Sequence, residues 1–300
     1  MWSVLCGLAS TVFAAQDGEV ELRIVHTNDT HSCVMPVNPN SSDTALADKG
    51  GFVRRAALVR DLRAEDPDLL LFDSGDFSQG SAYYNLYKGD VEVKLMNEMR
   101  YDAATIGNHE FDFGLDNMAR IFREATFPIV CANYHFEGTV LEGLVRPYVI
   151  LERKGVKVGV FGLGTQLEGM VASENYKGVT YEDPVTAANR VADELKNKEH
   201  CDLVVCLSHL GWDIDGLDDT ELVPATRHID IVLGGHSHTY FEHRSVERYR
   251  RGGCVLQPDG QARTLCRHAA VGDVAGRGLT LIRNRASIRS FSTIPRPKNW

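Results

Sequence analysis

Basic residues are scarce over most of this chain. Of its 32 Lys+Arg and 41 Asp+Glu, positions 1–243 hold 20 and 38, a net charge of −18. So acidic a body excludes polymeric nucleic acid as the main partner, because phosphate backbones need a basic surface. The seven cysteines form no CxxC pair and no zinc-knuckle spacing. Cys131 and Cys206 stand inside apolar runs and read as buried thiols. A Cys201–Cys206 pairing is left open by the sequence. Low-complexity tracts and internal repeats are missing as well. The first fifteen residues carry no charge at all, and Trp2–Ala14 is apolar or small. That stretch is too short for a membrane span and reads as a secretory leader, residues 1–15, ending in the small residues around Ala14-Ala15. A periplasmic or secreted protein with no stable membrane span is therefore expected.

The scarcity reverses at the end. Residues 244–300 hold eleven Arg, one Lys and three acidic residues, a net +9. Three readings fit this segment: translation in a shifted frame, a basic tail for an anionic surface, or a variable loop region. The first leads to the expectation that residues from about 250 onward pack poorly against the body and supply no site residue. Only Leu279–Ile282 reads as a strand there.

Between residues 20 and 243, strand and helix patterns alternate. Val20–Val25 and the wholly apolar Leu69–Phe72 predict strands, the second buried on both faces. After Gly50-Gly51, the positions Phe52, Ala56, Val59 and Leu62 fall on one face of a helix over 51–64. Asp183-Pro184 predicts a capped helix start, with Val185, Ala188, Val191 and Leu195 as its buried stripe. Residues 149–151 and 156–160 predict a hairpin about Lys154-Gly155, and 202–207 and 229–233 two more buried strands. The class is α/β with mixed sheet content.

Polar clusters follow five of the strand candidates, where open α/β folds place ligands. They are His26-Thr27-Asn28-Asp29-Thr30-His31, Asp73-Ser74-Gly75-Asp76, Gly107-Asn108-His109-Glu110-Phe111-Asp112, Ser208-His209-Leu210-Gly211 and Gly234-Gly235-His236-Ser237-His238-Thr239. Read as extended backbone, Asp29 and His31 point to one side. Gly75 and Gly80 allow a turn that aims Asp76 inward. Singly, each cluster reads as a cap or a turn; in series, no structural role requires so many imidazoles and carboxylates at successive strand ends. Imidazole, carboxylate and carboxamide without thiolate suit Zn, Mn, Fe or Co and do not choose among them.

The motifs HTNDTH, GDFSQG, GNHEFD, SHLG and GGHSHT resemble those of the calcineurin-like metallophosphoesterases, and more narrowly the N-terminal metal domain of the 5′-nucleotidases, UDP-sugar hydrolases and 2′,3′-cyclic-nucleotide phosphodiesterases. The resemblance covers about residues 20–243. It implies a sandwich of two mainly mixed β-sheets flanked by helices. It also implies two divalent ions: one held by Asp29, His31 and His238, the other by Asn108, His209 and His236, with Asp76 bridging. His109 would be the catalytic histidine beside the leaving group, oriented by Asp112; Glu110 and Phe111 would pack or cap. The ions would activate a bridging hydroxide against phosphorus, and the substrate would be a small phosphate ester, foremost a nucleotide. The family's nucleotide-binding C-terminal domain is expected to be absent. Two alternatives follow: a metal-bound subunit of low activity awaiting a separately encoded nucleotide-binding domain, or a related sulfur-ester hydrolase.

Overall fold

The computed structural model describes residues 19–42, 44, 47–239, 255–256, 275–282 and 285–289. The leader expected over 1–15 lies outside the described residues, as does most of the tail. Strands appear in the order β1 (Glu19–Thr27), β2 (Leu70–Asp73), β3 (Ala103–Ala104), β4 (Ile129–Val130), β5 (Tyr134–His135), β6 (Val145–Arg146) and β7 (Tyr148–Arg153). They continue with β8 (Val156–Gly164), β9 (Thr180–Tyr181), β10 (Leu203–His209), β11 (Ile231–Leu233), β12 (Val255–Leu256), β13 (Ala275–Ile282) and β14 (Arg285–Arg289). The helices are α1 (Gly51–Glu65), α2 (Ala82–Tyr87), α3 (Asp90–Met99), α4 (Gly114–Glu124), α5 (Pro184–Asp193) and α6 (Asp219–Ala225).

Two sheets stack. The first has the order β14-β13-β1-β2-β3-β4-β6, the second β12-β11-β10-β8-β7. β1, β2, β3, β4 and β6 run parallel, with β13 and β14 joined antiparallel at one side. In the second sheet β8, β10, β11 and β12 are parallel and β7 is antiparallel. This is the mixed two-sheet sandwich expected from the sequence.

Alternation along the strands explains the layering. Leu22, Ile24, Leu70 and Phe72 face Val158, Val160, Val205 and Leu207 in the core between the sheets. Their neighbours Val25, Leu69 and Leu71 face outward onto Phe52 and Val59 of α1, Met96 of α3 and Met118 of α4. On the other side Phe161, Leu163, Val204 and Cys206 pack under Ala188 and Val191 of α5 and Leu222 of α6. Both faces of each central strand are thus dry, which is why these segments read as unbroken apolar runs.

Local signals act as expected at several boundaries. Asp183 accepts from the Thr186 N–H and Pro184 occupies the first turn of α5. Lys154 and Gly155 take φ of 51° and 75°, the left-handed pair that a tight β7–β8 hairpin needs. The four described cysteines, Cys33, Cys131, Cys201 and Cys206, are free thiols, so the pairing left open above is not made.

Part of the tail pairs with the first sheet. Residues 275–282 form a full ladder with β1, from Glu19 opposite Ile282 to His26 opposite Ala275, and 285–289 add a further strand. Without β13 the outer edge of β1 would present unpaired N–H and C=O groups. The register sets Leu279 opposite Leu22 and Leu281 opposite Val20. The expected strand at 279–282 is accordingly longer, and this part of the tail is a sheet component rather than a detached one.

Candidate metal centre

The parallel strands β1, β2, β3, β10 and β11 bring their C-terminal ends together, and the five polar clusters with them. β1 stops at Thr27, and Asp29, His31 and Ser32 take φ of 46°, 41° and 53°. The extended backbone expected at Asp29 and His31 is therefore corrected to a left-handed turn. Its cause is the neighbouring loop: Asp29 N–H donates to Gly75 O (2.9 Å), His31 N–H to Asp76 O (3.0 Å) and Ser32 N–H to Phe77 O (2.9 Å). The two loops zip together and impose the turn.

Asp76 also sits at positive φ, 55°, after Gly75 at 92°. A Cβ on Gly107 would lie 2.1 Å from Asp76 Oδ1, so only glycine admits the carboxylate there. That oxygen accepts from the His109 N–H at 2.9 Å. His209, fully buried, donates Nδ1–H to Ser74 O (2.7 Å), which turns Nε2 to within 3.1 Å of Asp76 Oδ2. His236 N–H reaches both oxygens of Asp29 at 3.0 Å, and His238 Nε2 lies 3.4 Å from Asp29 Oδ1.

The ligand atoms form three overlapping groups: Asp29, His31 and His238; Asp76, His209 and His236; and His31, Asp76 and His109, each within 4.8 Å. Asp76 belongs to two of them. The donor set fits divalent cations on further grounds. His31 Nε2 and His238 Nε2 face each other at 3.0 Å. Asn108 Oδ1 is buried without a hydrogen-bond partner, an arrangement unfavourable for a lone pair with nothing to bind. Asn108 heads the short 3₁₀ turn His109–Phe111.

Charge at the site follows the same geometry. Burial opposes a proton on His209, yet the Asp76 carboxylate outweighs it and pushes the imidazole up to about 10. Burial, with His209 beside it, pulls His236 down to about 4. Asp76 is held well below the carboxylate range: burial opposes this, and the charge of His209 prevails. The carboxylates that favour a proton on His209 would favour a cation in the same way.

His109 stands at the rim. Its Nδ1 lies 3.0 Å from Asp112 Oδ2. Burial would lower its pKa, but the Asp112 hydrogen bond and the Asp76 charge raise it above the ordinary histidine value. Its backbone carbonyl accepts from Tyr84 Oη (3.2 Å), and Asn175 Nδ2 donates to Asp112 O (2.9 Å).

Sequence reasoning assigned Glu110 only a packing or capping part. In the structure its carboxylate is buried and accepts from three backbone N–H groups: Asp76 (3.0 Å), Ser78 (3.0 Å) and Gly107. It clamps the Asp76 loop to the Asn108 loop. Its place inside GNHEFD was the available signal. The Ser74 carbonyl that orients His209 left none, since any residue supplies a carbonyl.

A second buried carboxyl backs the centre. Asp219 accepts from Ser208 Oγ (2.5 Å), and burial pushes its pKa up to about 7. The folded state then holds this proton where the unfolded chain has lost it, so stability falls as pH rises from about 4 through 7. Asp219→Asn is expected to gain little near pH 4 and on the order of 2–4 kcal/mol by pH 8. Urea titrations in chelator at the two pH values check this; an equal effect at both would remove Asp219 as the cause.

The calcineurin-like phosphoesterase family model matches residues 22–240. The chain belongs to the calcineurin-like phosphoesterase family. Among curated relatives, human 5′-nucleotidase is 34% identical over 244 residues, covering 79% of this chain and 41% of that protein. The solved 5′-nucleotidase precursor of Thermus thermophilus is 28% identical with a TM-score of 0.75, covering 90% of this chain and 55% of that one. The calcineurin-like phosphoesterase YfkN of Bacillus subtilis is 25% identical with a TM-score of 0.67, covering 91% and 89%. The chain spans about two fifths of the length of the curated relatives it matches.

Proposed function

We propose that this chain is a two-metal phosphoric ester hydrolase of the 5′-nucleotidase type, acting on nucleotides or related small phosphate esters. The convergence of three overlapping ligand groups, two of which share Asp76, carries the reading. Asp29, His31 and His238 would hold one ion, Asn108, His209 and His236 the other, with Asp76 shared. When bound, divalent ions supply Lewis acidity, lowering the pKa of a water and offsetting charge on phosphoryl oxygens. The chain's own residues do the rest. Ser74 O fixes the His209 tautomer. Asp112 holds His109 Nδ1–H, leaving Nε2 to pass a proton to the departing oxygen. The Asp112 hydrogen bond and the Asp76 charge, which raise the His109 pKa against burial, favour its protonated form.

The likeness to a snake-venom 5′-nucleotidase supports a location outside the cytoplasm. Among the described residues no helix is long and apolar enough to cross a membrane.

The test is phosphate release from AMP and from 4-nitrophenyl phosphate, with Mn²⁺ or Zn²⁺ added and with chelator as control. Metal-dependent release from AMP is expected. Release from neither ester, with two equivalents of metal bound, would favour the low-activity subunit; turnover of a sulfur ester alone would favour that branch.

A further inference from the structure

The turn that carries Asp29 and His31 is costly by itself. Three of its residues, Asp29, His31 and Ser32, are non-glycine residues at φ of 41–53°, a backbone region that crowds a Cβ. The zipper to Gly75–Phe77 holds it from one side. From the other side comes a buried polar chain. Ser81, the N-cap of α2, accepts from the Tyr83 N–H (3.1 Å), and its Oγ lies 2.6 Å from Ser32 Oγ. Ser32 Oγ donates in turn to Glu92 Oε1 on α3. Glu92 and Ser32 are both fully buried. Gly80 completes the clasp: at φ 112° it lies against His31 O, where a Cβ would come within 2.7 Å.

A fully buried carboxyl on an otherwise apolar helix face is expensive, and Glu92 Oε2 has no hydrogen-bond partner among the described residues. Packing alone would favour an apolar residue at this place. What Glu92 does is fix the hydroxyl of the residue next to His31. We propose that Glu92 is a positioning residue that acts through Ser32 to hold the Asp29–Ser32 turn in its left-handed form, and so sets the affinity of one metal position, that of Asp29, His31 and His238. The other position leans on it less: Glu110 clamps the Asp76 loop and Ser74 turns His209, and the turn reaches that position through backbone bonds, from His236 N–H to Asp29 and from His31 N–H to Asp76 O. This rests on the two-metal reading above.

The test is a titration of chelator-treated full-length protein with Co²⁺, followed by calorimetry and by the visible absorption of the bound ion. Wild type should take up two equivalents. Glu92→Leu removes the acceptor and is expected to weaken one equivalent about 10–100-fold, the range for loss of an outer-sphere partner, while the second stays within about threefold of wild type. Glu92→Gln keeps an acceptor for Ser32 and should restore both. A merely structural role would weaken both positions together, or lower the melting temperature without separating them. Should Glu92→Leu fail to fold, Ser32→Ala decides, with the same one-site loss expected. Two unchanged equivalents in the variants, or equal weakening at both positions, would overturn the inference. Wild type that binds fewer than two equivalents would instead sink the two-metal reading itself.

Discussion

Asp76→Asn is expected to cost both the metals and the turnover of the protein. The substitution changes charge and one oxygen but little volume. Asp76 Oδ1 accepts from the His109 N–H, a contact that the Asn Oδ1 can keep, so the loop should still fold. The damage falls on the other atom. Oδ2 lies 3.1 Å from His209 Nε2 and 4.0 Å from His31 Nε2. An amide nitrogen there would present hydrogens to two imidazole nitrogens and to any cation between them. The negative charge that two ligand groups share would be gone at the same time. Removing an outer-sphere partner of a metal ligand costs about 10–100-fold, so losing the shared ligand should exceed that. Metal analysis after gel filtration should find two equivalents in wild type and one or none in the variant, with phosphate release from AMP at background. Two equivalents retained with normal turnover would remove Asp76 from the bridging role.

His109→Ala should separate binding from chemistry. His109 lies close enough to His31 and Asp76 to be counted with them as a donor, but its Nδ1 is committed to Asp112 and it stands at the partly exposed rim. If it serves as the acid, the variant keeps both metals and loses turnover by about 10²–10⁴-fold on AMP, the usual contribution of general acid catalysis. The loss should be smaller on 4-nitrophenyl phosphate, whose leaving group needs no proton. The pH profile gives a second readout. A group with raised pKa that must be protonated produces a falling limb on the alkaline side, and the variant should lose that limb. Asp112→Asn should move the limb to lower pH, because the carboxylate that holds the imidazolium is gone. Equal losses on both esters, or loss of a metal equivalent, would show His109 acting as a ligand instead.

That these side chains gather in one place was legible in the sequence. Imidazoles and carboxylates cannot be exchanged for others of similar size, and their placement after apolar runs is visible along the chain. The two-sheet architecture was legible for a related reason: Leu69–Phe72 and 203–207 are dry on both faces, and only a strand between two layers needs that pattern. Less could be read where backbone does the work. The left-handed turn at Asp29–Ser32 is imposed by carbonyls of the Gly75–Phe77 loop, and carbonyls leave no mark in the sequence. The ladder between β13 and β1 was hidden for a different reason. The arginine content of the tail suggested a foreign segment, whereas strand pairing is made by backbone groups that any non-proline residue carries.

Composition and periodicity by themselves determined the layers of this protein and the strand ends at which imidazoles and carboxylates collect, because burial acts on side chains. Only the tertiary structure decided how those ligands meet: Glu110 drawing two loops together, Ser74 turning His209, and Glu92 reaching Ser32 from a helix sixty positions away. Those contacts join segments that are distant along the chain, and their partners become neighbours only once the sheets have stacked.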